Sequence, residues 1–352
     1  MGESMSNVKK RIKTLYFWLI QCLYIIPKSK KHDRLEKKEI VDIPSSAVRV
    51  DATITPALYN KKGVITIISD DGVYQTGKQL KRLSECYKFP ITVAGTVRNI
   101  ALYRKWWKKA VENRFFEVVN HSYNHVIMSE ESAVATDLKK LIHEIVHSRK
   151  YFNRVFSTDD ALFVCPDNTM CNNGYKILHQ DGVTAVARGT RGINSLDVQE
   201  GMEPGQWYNL MRVGVMDKNT LGGYERNRWV DEVEALGGWL IEMWHNVSED
   251  KNSGYQTISP KEAEDHLKYI LNKKNIWYAL FSDVVKYVRE RQNAELYSYI
   301  YDGFLFIFVD IGDLYLKGYN QELTVDVKLP GGSKYYNIKP NRLTKIDIGE
   351  KK

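Results

Sequence analysis

From about residue 60 to residue 294, short apolar runs rich in β-branched and aromatic residues alternate with longer amphipathic segments. Such alternation is typical of βα units, in which helices connect parallel strands. The predicted strands are VITIIS (64–69), ITVAG (91–95), FFEVVN (115–120), ALFVC (161–165), TAVAR (184–188), LMRVGV (210–215), WLIEMWH (239–245) and WYALF (277–281). The predicted helices include 76–88, 130–152, 261–273 and 282–293. Seven or eight parallel strands with outer helices predict an α/β fold, a distorted (β/α) barrel.

The segments that flank this region have a different pattern. Residues 295–352 alternate apolar and polar residues and contain PGG, a hairpin signal, so they predict a small C-terminal β appendage. Residues 41–60 are polar, and we interpret them as a linker to a barrel that spans 61–294. The glycine-rich stretch 189–206 has no clear periodicity and is predicted to be a loop over one end of the barrel.

Residues 1–40 hold most of the positive charge of the chain. They contain ten Lys/Arg against four Asp/Glu, which is +6 of the net charge of +8. Because a nucleic-acid footprint should lie on the folded domain, we expect no nucleic-acid partner. The apolar run from Leu15 to Ile26 lies between basic runs and is short for a membrane-spanning helix. It predicts a targeting segment or a helix in the membrane interface, and an amphipathic helix docked on the domain is the alternative. We therefore expect an extracytoplasmic or membrane-associated location at the cell envelope, with a cytoplasmic location as the alternative.

Residues that can carry chemistry follow the ends of four predicted strands. They are Asp70 and Asp71 after 64–69, His121 and His125 after 115–120, Pro166 and Asp167 after 161–165, and His245 at the end of 239–245. In a βα barrel these ends meet at one rim, where the active site is built. Two imidazoles and one carboxylate form a suitable site for a divalent transition metal. We expect zinc, with cobalt, nickel or manganese as alternatives.

A second pair of histidines has the same spacing. His143, Glu144 and His147 form HEIVH, which matches a zinc protease signature. The apolar stripe of the surrounding helical pattern places these histidines on the opposite, solvent-facing side, outside the barrel. No third ligand is evident downstream, so a zinc protease is the less favoured hypothesis.

The motifs together resemble those of the polysaccharide deacetylase family, carbohydrate esterase family four. GVITIISDDG resembles the first family motif, T-F-D-D-G, with Ser69 in place of the aromatic residue. HSYNH matches the second, H-S/T-x-x-H, and FVCPDN resembles the third, with Asp167 replacing an aromatic residue and Asn168 a glycine. WLIEMWHNV resembles the region of the final histidine. The resemblance spans roughly residues 60–292.

The resemblance implies a metal-dependent deacetylase that hydrolyses N- or O-acetyl groups of a polysaccharide or cell-envelope glycan, with metal-bound water attacking the acetyl carbonyl. The roles it implies are a general base (Asp70), metal ligands (Asp71, His121, His125), a general acid (His245), and an oxyanion donor in the backbone N–H of Asp167, next to Pro166. A non-catalytic glycan-binding protein with the same fold is the alternative function.

An arginine and three tryptophans are further candidates for the site. The arginine that orients the base is not at its usual place, and Arg212 is the candidate to substitute for it, with a surface salt bridge as the alternative. Trp207, Trp239 and Trp244 are candidate surfaces for stacking on sugar rings, with positions in the core as the alternative.

Overall fold

The computed structural model describes residues 43–156, 161–189, 191–198, 205–215, 223–250 and 252–349. The predicted targeting segment, residues 1–40, lies outside these residues, as does part of the predicted loop 189–206. No helix in the described ranges has the length and apolar character needed to cross a membrane.

Strands and helices alternate through the centre of the chain, and strands predominate after it. The strands are β1 (Val48–Arg49), β2 (Ala52–Ile54), β3 (Gly63–Ser69), β4 (Ile91–Gly95), β5 (Phe116–Asn120), β6 (Leu162–Val164), β7 (Ala185–Ala187), β8 (Val213–Gly214), β9 (Gly238–Trp244), β10 (Asn246–Val247), β11 (Thr257–Ile258), β12 (Ile276–Tyr278), β13 (Glu295–Tyr301), β14 (Phe304–Asp310), β15 (Leu323–Leu329), β16 (Gly332–Ile338) and β17 (Thr344–Asp347). The α-helices are α1 (Tyr74–Tyr87), α2 (Val97–Leu102), α3 (Arg104–Ala110), α4 (Leu138–Ile142), α5 (Ser148–Phe156), α6 (Asn172–Gln180), α7 (Gly223–Leu236), α8 (Pro260–Leu271) and α9 (Phe281–Asn293).

A parallel sheet forms the centre of the fold. Its strands follow the order β7-β6-β5-β4-β3-β9-β8, and β12 pairs with the first half of β3. The sheet curls into a half-barrel with helices between its strands, so the predicted distorted (β/α) barrel is confirmed. The eight strands correspond to the eight predicted apolar runs, because strands covered on both faces consist of nearly continuous apolar residues.

Each face of the sheet belongs to a different hydrophobic core. Ile65 and Ile67 of β3 pack with apolar residues of α1, α7 and α8 on the outer face. Val64 and Ile68 point the other way and pack in a cluster that includes α9 and the C-terminal strands. Because successive side chains along a strand point to opposite faces, β3 packs against the helices on one face and against the C-terminal region on the other.

The C-terminal strands form two antiparallel sheets, and both include a strand from the predicted linker. One sheet has the order β1-β13-β14-β17, and the other has the order β16-β15-β2. Buried residues of both sheets, such as Ile307 and Val325, pack in the same cluster as Tyr287 of α9. The predicted β appendage is therefore present, but the interpretation of residues 41–60 as a linker is wrong where β1 and β2 lie. Strands of two and three residues are too short to leave a periodic signal.

The predicted helix 130–152 is several helical segments. A 3-10 turn (Ala133–Thr136) precedes α4, and a π-helical turn (His143–His147) joins α4 to α5. Asp137 has non-helical backbone angles, and its side chain caps α4 by accepting a hydrogen bond from the backbone N–H of Lys140. The predicted last strand, 277–281, is also shorter, since β12 ends at Tyr278 and α9 begins at Phe281.

Candidate metal centre

The first two site residues are placed by the turn after β3. Asp70 and Asp71 follow the last residue of this buried strand, and Asp71 has a left-handed backbone conformation (φ 74°). Gly72 also has positive φ, and a Cβ there would lie 2.8 Å from the Cα of Gly95, so this tight turn requires glycine. The Asn99 side-chain amide donates to the carbonyl oxygen of Asp71 at 2.9 Å and holds the turn.

Asp71 converges with the two histidines of the HSYNH segment. Single ligand atoms of Asp71, His121 and His125 all lie within 4.8 Å of one another. His125 Nε2 is 3.3 Å and His121 Nε2 is 3.9 Å from Asp71 Oδ1. The structure therefore brings together the three residues that the sequence predicts as metal ligands.

His121 is fixed in the tautomer that a metal ligand needs. Its Nδ1 lies 2.9 Å from the carbonyl oxygen of Val164, which can only accept a hydrogen bond, so Nδ1 carries the proton. Its Nε2 is buried and has no hydrogen-bond partner among the described residues, which leaves a lone pair directed at the centre. Burial lowers the pKa of His121 despite the opposing effect of Asp70 and Asp71, so the neutral, ligating form is favoured. An orphaned buried nitrogen beside a carboxylate and a second imidazole fits a divalent cation.

The HSYNH segment is a loop and not a helix. Ser122 and His125 both have left-handed backbone conformations, with φ of 70° and 63°. The Ser122 hydroxyl accepts a hydrogen bond from the backbone N–H of His125 at 3.0 Å, and Asn120 accepts one from the N–H of Ser122 at 3.0 Å. The histidines meet at one point because this loop folds back on itself after β5.

Glu144 of the HEIVH segment binds this loop. Its buried carboxylate accepts hydrogen bonds from the backbone N–H groups of Tyr123 (3.1 Å) and Asn124 (2.8 Å) and from the Asn124 side-chain amide (2.9 Å). Sequence reasoning missed this role. The position of Glu144 in the helical pattern could have indicated this role. Glu144 shares the inward face of the helical segment with the buried Leu141 and Ser148, and a carboxylate buried there without a partner would be costly.

The HEIVH histidines, predicted to lie on the solvent-facing side of the helix, are only partly exposed. His143 and His147 are half-buried, and their Nδ1 atoms lie 3.3 Å apart. The His143 ring packs against Tyr123, with ring centroids 4.1 Å apart. Within the described ranges, no third candidate ligand joins this pair, and Asp71 with His121 and His125 is the group able to hold a metal. The carboxylate of Glu144, which a protease would use as a base, accepts hydrogen bonds from the HSYNH loop instead.

Arg212 holds the carboxylate of Asp70. One guanidinium nitrogen donates to both carboxylate oxygens of Asp70, at 2.8 and 3.0 Å, and the other terminal nitrogen donates to the side-chain oxygen of Asn168. Arg212 is 2% exposed, so the alternative of a surface salt bridge is wrong. Burial raises the pKa of Asp70, but Arg212, His121 and His245 together outweigh this effect and lower it below its ordinary value. Asp70 is therefore ionised at neutral pH.

Asn168 is a second contact that sequence reasoning did not assign. It has a left-handed backbone conformation (φ 55°) after Asp167 (φ 52°). A Cβ at Gly189 would lie 2.3 Å from the side chain of Asn168, so glycine makes room for the amide that Arg212 binds. The third motif thus contributes to the orientation of Asp70 through its Asn168 side chain.

The remaining predicted site residues differ in accessibility. Pro166 is buried and Asp167 is exposed at the turn after β6. His245 is half-buried, follows β9 directly, and packs edge-on against Tyr255 with ring centroids 4.8 Å apart. The His245 side chain lies near enough to Asp70 to help lower the pKa of that carboxyl group.

The prediction that tryptophans stack on sugar is wrong for all three candidates. Trp207, Trp239 and Trp244 are at most 1% exposed, so none presents a ring face to a ligand. Trp244 donates from Nε1 to Glu242, and Trp239 donates from Nε1 to Thr66. The alternative interpretation, that they belong to the core, is confirmed.

Comparisons with known proteins agree with the motifs. The family model described as polysaccharide deacetylase matches residues 58–186. Among solved structures, a candidate polysaccharide deacetylase from Mycobacterium smegmatis is 11% identical, with 69% of this chain and 96% of that chain covered and a TM-score of 0.53. Puue allantoinase is 8% identical, with 66% of this chain and 92% of that chain covered and a TM-score of 0.51. At these identities the two structures show the fold alone. No curated protein gives a significant match. The family match confirms the resemblance predicted from the motifs.

Proposed function

We propose that this chain, whose residues 58–186 match the polysaccharide deacetylase family, is a metal-dependent hydrolase that removes N- or O-acetyl groups from a glycan. The observation that carries the proposal is the buried, unpartnered Nε2 of His121 beside Asp71 and His125. We further propose zinc as the cation, with cobalt, nickel and manganese as substitutes, and a polysaccharide or glycan of the cell envelope as the substrate. A location at the envelope follows from that substrate and from the predicted targeting character of residues 1–40.

The cation would be held by Asp71, His121 and His125. When bound, a divalent cation would lower the pKa of a water molecule to about 7 and polarise a carbonyl oxygen. The imidazole of His121 is fixed for this task by Val164, and the loop that carries His125 is fixed by Glu144.

The neighbouring side chains supply proton transfer and orientation. Asp70 is ionised and held in one orientation by Arg212, so it is suited to accept a proton from the attacking water. His245 directly follows β9 and lies near Asp70, so it is proposed to return a proton to the leaving group. The backbone N–H of Asp167, on an exposed left-handed turn, is the proposed donor to the oxyanion.

Acetate release tests the proposal. The purified chain is assayed with acetylated chitooligosaccharides for N-acetyl groups and with acetylated xylan for O-acetyl groups, before and after chelation and after zinc is restored. We expect release to fall at least 100-fold on chelation and to return with zinc. His125→Ala should lose both bound metal and activity, whereas His179→Ala, at an exposed site on α6, should keep both. Activity that is indifferent to chelation would contradict the proposal.

The two alternative functions predict other results. A non-catalytic glycan-binding protein would bind these oligosaccharides without releasing acetate. A zinc protease would lose activity in His143→Ala and keep it in His121→Ala. The contact between Arg212 and Asp70 favours the hydrolase, because a buried arginine holds the carboxylate that is proposed as the base.

A further inference from the structure

A cavity lies at the other end of the barrel from the candidate metal centre. Its volume is about 630 Å³, within the range of ligand-binding pockets. Its lining includes Lys61, Pro90 and Phe115, which precede β3, β4 and β5, and Ile276, the first residue of β12. The candidate metal ligands follow the opposite ends of these parallel strands. The cavity is therefore separate from the proposed active site.

Positive charge dominates this cavity. Five cationic side chains line it (Lys61, Lys88, Arg114, Lys273, Lys274), against the single carboxylate of Asp283. Lys273 is neutralised by ion pairs with two carboxylates of α7, those of Asp231 and Glu234. Lys61 donates to the backbone carbonyl of Lys274, which holds these two lysines together.

Three of the cations are available to a ligand. Lys88, Arg114 and Lys274 are exposed, and none forms an ion pair with a residue in the described part of the chain. Their side chains surround one concavity, so their fields add there and attract anions. Such groups also donate charge-assisted hydrogen bonds to carboxylate or phosphate oxygens.

Aromatic side chains also line the cavity. Trp277 and Tyr278 belong to β12, and the guanidinium of Arg114 lies 4.6 Å from the ring centroid of Phe115. The side chain of Tyr59 is 54% exposed at this cavity. Its backbone is left-handed (φ 59°), a conformation that aromatic residues rarely adopt. Its backbone N–H donates to the Thr324 hydroxyl of β15 at 2.7 Å, so the C-terminal strands hold this residue in its strained conformation at the cavity.

We propose that this cavity binds a segment of an acidic glycan. The carboxylate or phosphate groups of the glycan pair with Lys88, Arg114 and Lys274, and a sugar ring packs against the exposed ring of Tyr59. The choice of a glycan rests on the proposed function, while the charge of the ligand follows from the cations alone. A flat lipid surface would contact only the rim, whereas an extended oligosaccharide can enter the concavity. The cavity would thus hold a polymer at one end of the barrel while acetyl groups are removed at the other.

Binding of hexagalacturonate to the full chain, measured by calorimetry at low salt, tests this proposal. The variant Lys88→Gln/Arg114→Gln/Lys274→Gln should raise the dissociation constant at least tenfold. The matched control, Lys139→Gln/Lys140→Gln/Lys176→Gln, removes the same charge from exposed sites outside the cavity and should leave binding unchanged. Tyr59→Asn removes the ring but suits the left-handed backbone, and it should weaken binding three- to tenfold.

Other ligands in the same assay separate this inference from its rivals. If inorganic phosphate binds as tightly as hexagalacturonate, the proposal that the ligand is a glycan is contradicted. The same holds if the chain binds vesicles that contain phosphatidylglycerol and does not bind hexagalacturonate. If the cavity variant and the control lose the same affinity for hexagalacturonate, the proposal that the ligand binds in this cavity is contradicted. Acetate release from short neutral acetylated chitooligosaccharides should be unchanged in the cavity variant. If the wild-type chain releases no acetate but the differences in hexagalacturonate binding are as expected, the proposed function fails and the acidic-ligand site stands.

Discussion

Glu144 touches none of the candidate metal ligands, yet it holds the loop between His121 and His125. Its carboxylate receives three hydrogen bonds from Tyr123 and Asn124. The next turn of the same helical segment adds Ser148, whose hydroxyl oxygen accepts a hydrogen bond from the side-chain amide of Asn120 at 2.9 Å. The left-handed backbone of His125 is thus maintained by contacts from another element.

We expect Glu144→Gln to weaken metal binding. A glutamine keeps the size of the side chain, but in either orientation of its amide the NH₂ group replaces an accepting oxygen and faces a donor, either the two backbone N–H groups or the side-chain amide of Asn124. The loop should relax, and zinc affinity should fall about 10- to 100-fold, the usual effect of losing an outer contact of a metal ligand. Equilibrium dialysis of zinc against the wild type and the variant measures this change without reference to turnover.

His147→Ala is the matched control, because His147 is one turn away and makes no contact with the loop in the described structure. Glu144→Asp, which keeps the charge, should recover part of the affinity. Unchanged zinc affinity in Glu144→Gln would contradict the positioning role.

Sequence patterns locate site residues that belong to local motifs and miss contacts between distant segments. Asp71, His121 and His125 come from two short motifs, and the structure brings them together. The contact between Arg212 and Asp70 joins residues 142 positions apart, so the sequence offered Arg212 only as a candidate. Glu144 was assigned to a protease signature because its neighbours are histidines, although its true partners lie 20 and 21 residues earlier.

Helix α9 joins the barrel to the C-terminal sheets, and Glu290 lies at this junction. The buried carboxylate of Glu290 accepts hydrogen bonds from the backbone N–H of Gln321 at 2.8 and 2.9 Å. Burial raises the pKa of Glu290 to about 7, while an unfolded chain keeps the ordinary value near 4.5. Between these two pH values the folded protein therefore binds a proton that the unfolded chain has released.

This difference predicts that the contribution of Glu290 to stability falls as the pH rises from about 4.5 to about 7. Glu290→Gln cannot titrate, so the free energy of unfolding of the variant, relative to the wild type, should increase over this range by on the order of 2 kcal/mol. Urea unfolding at pH 5, 6, 7 and 8 measures it. Glu131→Gln, at an exposed glutamate, should show a constant difference from the wild type. A constant difference for Glu290→Gln as well would contradict the prediction.

Whether an element could be predicted depended on its length and burial. The fully buried β3 and the mostly buried β9 left clear apolar runs, and their observed bounds lie within one residue of the predicted ones. The exposed β1 has two residues and left no signal. The π-helical turn of HEIVH was predicted as regular helix because its hydrophobic spacing is close to that of an α-helix.

At the scale of the whole molecule, the barrel and the C-terminal sheets share one hydrophobic cluster. The cluster contains residues of β3 and α9 together with Leu305 of β14 and Val325 of β15. The sequence indicated a separate appendage because the pattern changes at residue 295. It could not show that β2 pairs with β15, since this pairing depends on strands that lie far apart in the chain.

We expect a chain that ends at Ala294 not to fold cooperatively. The truncation removes the partners of β1 and β2 and exposes the buried face of α9, including Tyr287 and Val288. The free energy lost when this apolar surface is no longer buried exceeds the net free energy of unfolding of a typical domain. Thermal unfolding followed by circular dichroism and the soluble yield measure the effect. A chain that ends at Gly349 is the control and should behave as the full chain does. A cooperative transition near the wild-type temperature in the shorter chain would contradict this prediction.

The pairing of early with late strands sets the timing of folding during synthesis. Val50 and Ser298 are joined by a hydrogen bond although they lie 248 positions apart. At about 5–20 residues per second, the ribosome delivers the second partner roughly 12 to 50 seconds after the first. For at least that interval the nascent chain carries β1 and β2 without their partner strands, and unpaired strand edges of this kind are surfaces that chaperones recognise. The yield of this protein in a cell should therefore depend on translation speed and chaperone supply.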